Sequence, residues 1–306
     1  MPARIVVVGS LNMDLVTRTE RIPQPGETIL GGDLQTFPGG KGANQAVAAR
    51  RMGAQVSMIG RVGQDAFAVP LLQTLGEAGV DSSHVLQDPS AATGVAIIVV
   101  DQRGQNSIVV CSGANAHLSP QDIRAAEPAI AGADALLLQL ESPLETVRCA
   151  AEIARGHGVR VILNPAPARP LPEALLRTVD VLVPNESEAA LLTGLPVEDV
   201  PQVEAAAARL HKMGAEAVVV TLGERGALYL YKGESHRVPA FKVTPVDTTA
   251  AGDAFMGGFA VALAEGKPFA EAVRWGNAAG ALATTKMGAQ PSLPERGAVE
   301  NLILKS

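Results

Sequence analysis

Asp253 follows Gly252 directly and stands at the opening of an apolar helical pattern, in which Phe255, Phe259 and Leu263 recur at i, i+4 and i+8. Ala250, Ala251 and Gly252 fall where that helix begins. Their small side chains leave room for a ligand to reach the unpaired N–H groups of the first turn, where the helix dipole favours an anion such as phosphate. A carboxylate beside a bound phosphate is repelled unless it takes a proton from the group that attacks that phosphate. The residue types therefore suit phosphoryl transfer to a hydroxyl. The same spacing also fits an ordinary helix start, with Thr248 or Thr249 as N-cap and Asp253 as a favourable first-turn acid.

Further polar residues fall at the ends of apolar runs. Asn12 and Asp14 follow the first run, at the carboxyl edge where open α/β sheets bind ligands. Two apart in an extended segment, they face one side, and an amide with a carboxylate suits sugar hydroxyls; an Asx turn leaving the strand fits as well. Gly39-Gly40-Lys41-Gly42-Ala43-Asn44 opens a helix expected to run to about Met52, and its paired glycines permit close approach of backbone to ligand. It is not a Walker A loop, because Gln35 stands at that motif's first glycine and Gly42 at its Ser/Thr. Lys41 taken alone also fits a solvated cation at a helix start. Glu141 ends another buried run. Asn185 and Glu188, three apart at a helix start, meet on one face, which a capping box explains equally well. Thr221, Gly223 and Gly226 follow a core strand and allow either a tight hairpin into residues 227–231 or a nucleotide-lining turn.

The segment from Asp247 to Asp253 resembles the C-terminal motif of the ribokinase group of carbohydrate kinases, of the phosphofructokinase-B type, and the segment from Gly39 to Ala46 resembles its N-terminal motif. The likeness reaches from residue 7 to residue 292, nearly the whole chain, and is nearest to the ribokinases within that group. It implies an ATP-dependent kinase acting on the 5-hydroxyl of D-ribose, with another pentose, a ketohexose or a nucleoside as alternative substrates. It implies Asp253 as base, the N–H groups of Ala250, Ala251 and Gly252 as the anion hole, and Asn12, Asp14, Gly39, Gly40, Lys41, Asn44 and Glu141 around the sugar. Thr221, Gly223, Gly226 and Asn277 would line ATP, and Asn185 and Glu188 would tune Mg²⁺ and phosphate binding. Asp247, Thr249, Ala283, Lys286, Gly288 and Ser292 would hold a monovalent cation, K⁺. One position departs from the family: Ala250 stands where glycine is usual. Alanine donates the same N–H, so the substitution is costly only if φ there is positive.

Positioning these residues requires a sheet. Apolar runs at 4–8, 55–59, 136–140, 160–163, 181–183 and 218–222 alternate with Ala-rich helical stretches such as 202–213, the order of a mostly parallel sheet with helices on both faces. The expectation is a single α/β domain over residues 1–306, a three-layer α/β/α core of the ribokinase-like kind. Residues 12–38 and 93–112 break the alternation, the second with a hairpin about Gln102-Arg103-Gly104-Gln105. Both are assigned to a small β-sheet lid, which the resemblance extends to a homodimer contact.

With 306 residues, 47% hydrophobic, the chain can bury a large core. A formal charge of −6 without Lys/Arg runs argues against nucleic acid or an anionic membrane as partner. Cys111 and Cys149 have no CxxC spacing, the five histidines no H-E-x-x-H spacing, and no run of 18 apolar residues occurs, so a cytoplasmic home is expected. Neither G-x-G-x-x-G nor a repeat is present, which sets aside an NAD-dependent oxidoreductase. A non-catalytic sugar or nucleoside sensor has no use for a base at Asp253.

Overall fold

The computed structural model describes all 306 residues. The strands are β1 (Arg4–Val8), β2 (Asn12–Arg18), β3 (Gln35–Gly39), β4 (Gln55–Gly63), β5 (Asp81–Asp88), β6 (Gly94–Val100) and β7 (Asn106–Cys111). They continue as β8 (Ala135–Leu138), β9 (Arg160–Leu163), β10 (Val181–Leu182), β11 (Ala217–Thr221), β12 (Ala227–Tyr231) and β13 (Glu234–Val238). Nine form one sheet in the order β13-β12-β11-β10-β9-β8-β1-β4-β5. It is parallel from β5 to β11 and antiparallel only at β12 and β13.

Alternation along the central strands builds the layers. Ile5 and Val7 of β1, with Ala135 and Leu137 of β8, join a core shared with Phe255, Phe259 and Trp275. Val6, Val8, Leu136 and Leu138 join a second core with Val147, Ala150 and Val203. Each strand is thus buried on both faces between helices, as a parallel sheet requires. Two expected strands shift by two residues or more, and those at 181–183 and 218–222 by one. The expected 55–59 extends to Gly63, because Gly60 to Gly63 pair with β5, whose polar sequence carries no apolar signal. The expected 136–140 ends at Leu138, and Leu140 instead bonds Ala166.

β2, β3, β6 and β7 form a separate four-stranded sheet, with β2 paired to both β3 and β6. Strands within residues 12–39 and 94–111 supply it, and the hairpin between β6 and β7 is present as expected. The chain runs from β1 outward to β4 and β5 and then returns to β8 on β1's other side, so the carboxyl ends of β1 and β8 border the crevice where such sheets bind ligands. Over that crevice the Ala251–Ala264 helix packs on the Lys41–Arg51 helix. Gly257 makes the close approach possible, since a Cβ there would lie 2.5 Å from that of Ala48.

Candidate active site

Two segments converge on Glu141, just beyond β8. Its Oε2 accepts Ser10 Oγ at 2.5 Å and the Lys41 backbone N–H at 3.2 Å, with Asn12 Nδ2 at 3.4 Å. Asn12 is itself held from behind: Asn115 Nδ2 donates to its Oδ1 at 2.8 Å and to Leu11 O, while Asn115 Oδ1 accepts Leu11 N–H. That clamp turns the Asn12 amide hydrogens toward Glu141 and the cleft. Gly39 faces Asp14, since a Cβ there would lie 2.3 Å from that carboxylate. Gly40, at φ 90°, caps the Lys41–Arg51 helix without a side-chain bond.

Asp253 stands in the first turn of its own helix, beside this cluster. Asn44 Nδ2 donates to Oδ2 at 3.0 Å and Gln45 Nε2 to Oδ1 at 3.0 Å. Asn44 Oδ1 is buried without a partner, an acceptor left for an incoming hydroxyl. Burial pushes the Asp253 carboxyl up, while the Lys41 charge and the two amides pull it back. Asp14 is raised to about 7 by burial first, then by Glu141 and Asp253, with Lys41 opposing. For Lys41 itself burial would lower the pKa, but Asp253, Glu141, Glu188 and Asp14 outweigh it, so the ammonium is held charged. Lys41 is half-buried and feels these four carboxylates without a direct ion pair to any of them.

The other half of the crevice is made of backbone. Ala250 occupies the left-handed region, φ 59° and ψ 10°, so the costly case for alanine is the one that occurs. The helix cap is Ala250, without any side-chain bond, in place of Thr248 or Thr249. Of the three N–H groups expected to be free, that of Ala251 donates to Thr248 O at 3.2 Å; those of Ala250 and Gly252 have no protein partner. Asp247 ties two loops together: Oδ1 accepts Thr249 N–H and Oγ, and Oδ2 accepts Gly288 N–H at 2.9 Å. Burial would raise Asp247, but these bonds prevail and hold it low, so it presents an ionised oxygen donor set. Ser292 Oγ donates to Ala289 O, leaving its lone pairs open, and Lys286 N–H bonds Ala283 O within the same turn.

On the far side Asn185 and Glu188 form the full capping box: Asn185 Oδ1 accepts Glu188 N–H at 2.8 Å, and Glu188 Oε2 accepts Asn185 N–H at 2.8 Å. Burial pushes Glu188 up. Asn185 also bridges Thr221, where β11 ends. Gly223 and Gly226 make the tight turn into β12, so the hairpin reading is the local structure. Asn277 is buried and donates to Val238 O and Pro239 O, which clamps the loop after β13 and leaves its Oδ1 free. No three His, Cys, Asp or Glu side chains converge as a metal cage. A cleft of about 630 Å³ lies elsewhere, at the opposite, amino-terminal edge of the sheet near Arg4 and Gln55.

Sequence reasoning missed Ser10, Gln45, Asn115, Gln139 and Asn164. Gln45 sits inside the glycine-rich motif and was open to notice; Asn115 has no local signal.

Across residues 2–296 the chain matches the pfkB family of carbohydrate kinases. The chain belongs to that family. A ribokinase of Haemophilus influenzae is 46% identical over 296 residues, covering 97% of each chain. A deoxyribokinase of Salmonella typhi is 40% identical over 291 residues, covering 95% of each. Among solved structures, Arabidopsis thaliana ribokinase complexed with ribose and ATP aligns with a TM-score of 0.91 at 37% identity, over 99% of both chains. The chain is thus an ATP-dependent carbohydrate kinase of that family.

Proposed function

We propose that the protein transfers the γ-phosphoryl group of ATP to the 5-hydroxyl of D-ribose, giving D-ribose 5-phosphate and ADP. The observation that carries this reading is Asp253, buried and fixed at both oxygens, next to the unpartnered N–H groups of Ala250 and Gly252. Asp253 orients the hydroxyl and takes its proton as the oxygen attacks. The N–H groups receive the charge on the transferring phosphoryl oxygens, with Ala251 shaping the turn that presents them. Asn12, Asp14, Gly39, Gly40, Lys41, Asn44 and Glu141 hold the sugar. Asn185, Glu188, Thr221, Gly223, Gly226 and Asn277 border the nucleotide. Most of the acceleration comes from positioning.

Both Glu188 oxygens already accept from Asn185, so this carboxylate fits Mg²⁺ only indirectly, through water, in keeping with an ion carried mainly by phosphates. Mg²⁺ would supply neutralisation of the phosphate charge. The ionised Asp247, with Thr249, Ala283, Lys286, Gly288 and Ser292 on the loops it joins, fits K⁺, which would stiffen the segment before Ala250.

A single domain with its four-stranded sheet as lid fits this chemistry, since closure excludes water. The exposed Ile97, Ile108, Val109 and Val110 of β6 and β7 suit a homodimer through that lid. The unpaired Cys111 and Cys149 suit the cytoplasm. ADP release measured over a panel of sugars and nucleosides, in K⁺ and in Na⁺ at equal ionic strength, tests the whole reading. Ribose in K⁺ is expected to give the fastest turnover; preference for deoxyribose or a nucleoside would overturn the substrate, and equal rates in the two salts the cation site.

A further inference from the structure

Gln45 is fully buried, yet each of its polar atoms has a partner within the protein. Its Nε2 donates to Asp253 Oδ1 at 3.0 Å and to Asn164 Oδ1 at 3.3 Å, and its Oε1 accepts Gln139 Nε2 at 2.6 Å. Asn164 Nδ2 donates to Val183 O at 3.0 Å, which fixes the oxygen of that amide as the one facing Gln45. The amide of Gln45 is therefore fixed in one orientation by Asn164 beyond β9, and Gln139 beyond β8 completes its bonding while leaving its own Oε1 without a partner. Its neighbour Asn44 differs. Asn44 also bonds Asp253 but keeps a free acceptor for a ligand.

We propose that Gln45 is a positioning residue for phosphoryl transfer, a neutral amide that fixes the Asp253 carboxylate while leaving its charge free to take a proton. This rests on the reading of Asp253 as the base. With Asn44 on one oxygen and Gln45 on the other, the carboxylate cannot rotate without breaking both bonds. An Arg or Lys in Gln45's place would hold it equally well but would weaken its basicity through full charge pairing. A neutral donor favours the ionised form of a fully buried carboxyl without adding a cation. The space for this relay is built in. A Cβ at Gly9 would lie 2.0 Å from Gln139 Oε1, so glycine there admits the Gln139 side chain.

The test compares Gln45→Leu, Gln45→Glu and Asp253→Asn with wild type, by kcat, KM for ribose and ATP, and the pH dependence of kcat/KM, with thermal unfolding alongside. Gln45→Leu is expected to lower kcat about tenfold or more, the equivalent of one lost bond to a charged group. KM for ribose should stay within about threefold, and the acidic limb of the pH profile should move up. Gln45→Glu keeps the shape and the acceptor for Gln139 but donates to Asp253 only while protonated. Its activity should therefore fall as pH rises, where wild type is flat. Wild-type kcat and an unmoved acidic limb in a folded Gln45→Leu or Gln45→Glu variant would overturn the proposal while Asp253→Asn remains strongly impaired. Should Asp253→Asn keep wild-type turnover, the reading of the base fails, and this inference with it.

Discussion

Around Asp253 the contacts run from side chain to side chain and are closed to water, whereas around Asp247 and Ala250 they run through backbone groups on loops that are largely exposed. In the first region the residue identities set the geometry: two amides on one carboxylate, three donors on Glu141, one amide clamping Asn12. In the second, φ and ψ set it, and identity matters mainly where it strains the chain, as at Ala250. The two regions should therefore fail differently. Isosteric changes of polar atoms should cripple the first, and changes of backbone freedom should be the ones felt in the second.

The sharpest break of that contrast is Asp253→Asn. It keeps the shape and should leave ATP and ribose binding nearly intact, yet lower turnover by roughly 10²–10⁴-fold, the range for a lost general base. Single-turnover kinetics measure it. Turnover within a few-fold of wild type would mean that the backbone half alone supports the chemistry.

Next comes the sugar's 2-position. Asn115 holds Asn12 Oδ1 at 2.8 Å, so the Asn12 donor faces the cleft and cannot flip to suit another ligand. Leaving such a donor unpaired costs on the order of 1–3 kcal/mol. Asn12→Met removes the donor and offers a methylene an apolar neighbour. The ratio of kcat/KM for 2-deoxyribose over ribose should then rise roughly 10-fold, about 1.4 kcal/mol. An unchanged ratio would assign the discrimination to Asp14, Asn44 or the lid.

The same contrast explains what could be read from the chain alone. Residues 4–8 and 160–163 have the predicted strand limits because their apolar runs are buried on both faces. β5 and β13 lack such runs, being polar and largely exposed, and only their pairing reveals them. In the site, Asp253 and the paired glycines announce themselves through local rules for helix starts. Gln45 lies inside that same motif, but its role is not written there because its partner is 208 residues away, and Asn115, 103 residues from Asn12, has no local signal at all. Ala250 was left open for the opposite reason. Its identity was plain, but the sign of its φ belongs to the loop and not to the residue.

Asp14 sharpens the comparison from the electrostatic side. Its carboxyl is raised to about 7, chiefly by burial and then by Glu141 and Asp253. Because the folded value exceeds the ordinary one, the folded state binds the extra proton between about pH 4 and 7. Its contribution to stability is complete below that window and is lost as pH rises through about 7. Sugar binding calls for the ionised acceptor, so ribose affinity should increase about tenfold from pH 6 to pH 8, as the competent fraction grows. Calorimetric titration of the free enzyme with ribose measures this. Asp14→Asn should flatten the dependence, and a flat wild-type profile would show that the protonated form binds as well.

The smallest effect is expected at Ala250, and it tests the backbone half directly. Alanine at φ 59° costs about 1–2 kcal/mol relative to the ordinary helical region. Glycine accepts that φ freely but loses roughly 0.5–1 kcal/mol more on folding, through the greater freedom of its unfolded chain. The two nearly offset, so Ala250→Gly should stabilise by no more than about 1 kcal/mol, a rise of a few degrees in Tm at most. Turnover should stay within about threefold, because the N–H that faces the anion is the same in both residues. Ala250→Val, branched at Cβ, should instead destabilise by about 1–3 kcal/mol and displace that N–H, lowering turnover well beyond the glycine variant. Urea unfolding and steady-state kinetics on the pair decide the matter. A glycine variant markedly less stable than wild type would mean that the loop ties Ala250 down through contacts of its methyl group, and the division between a side-chain half and a backbone half would fail at the residue chosen to define it.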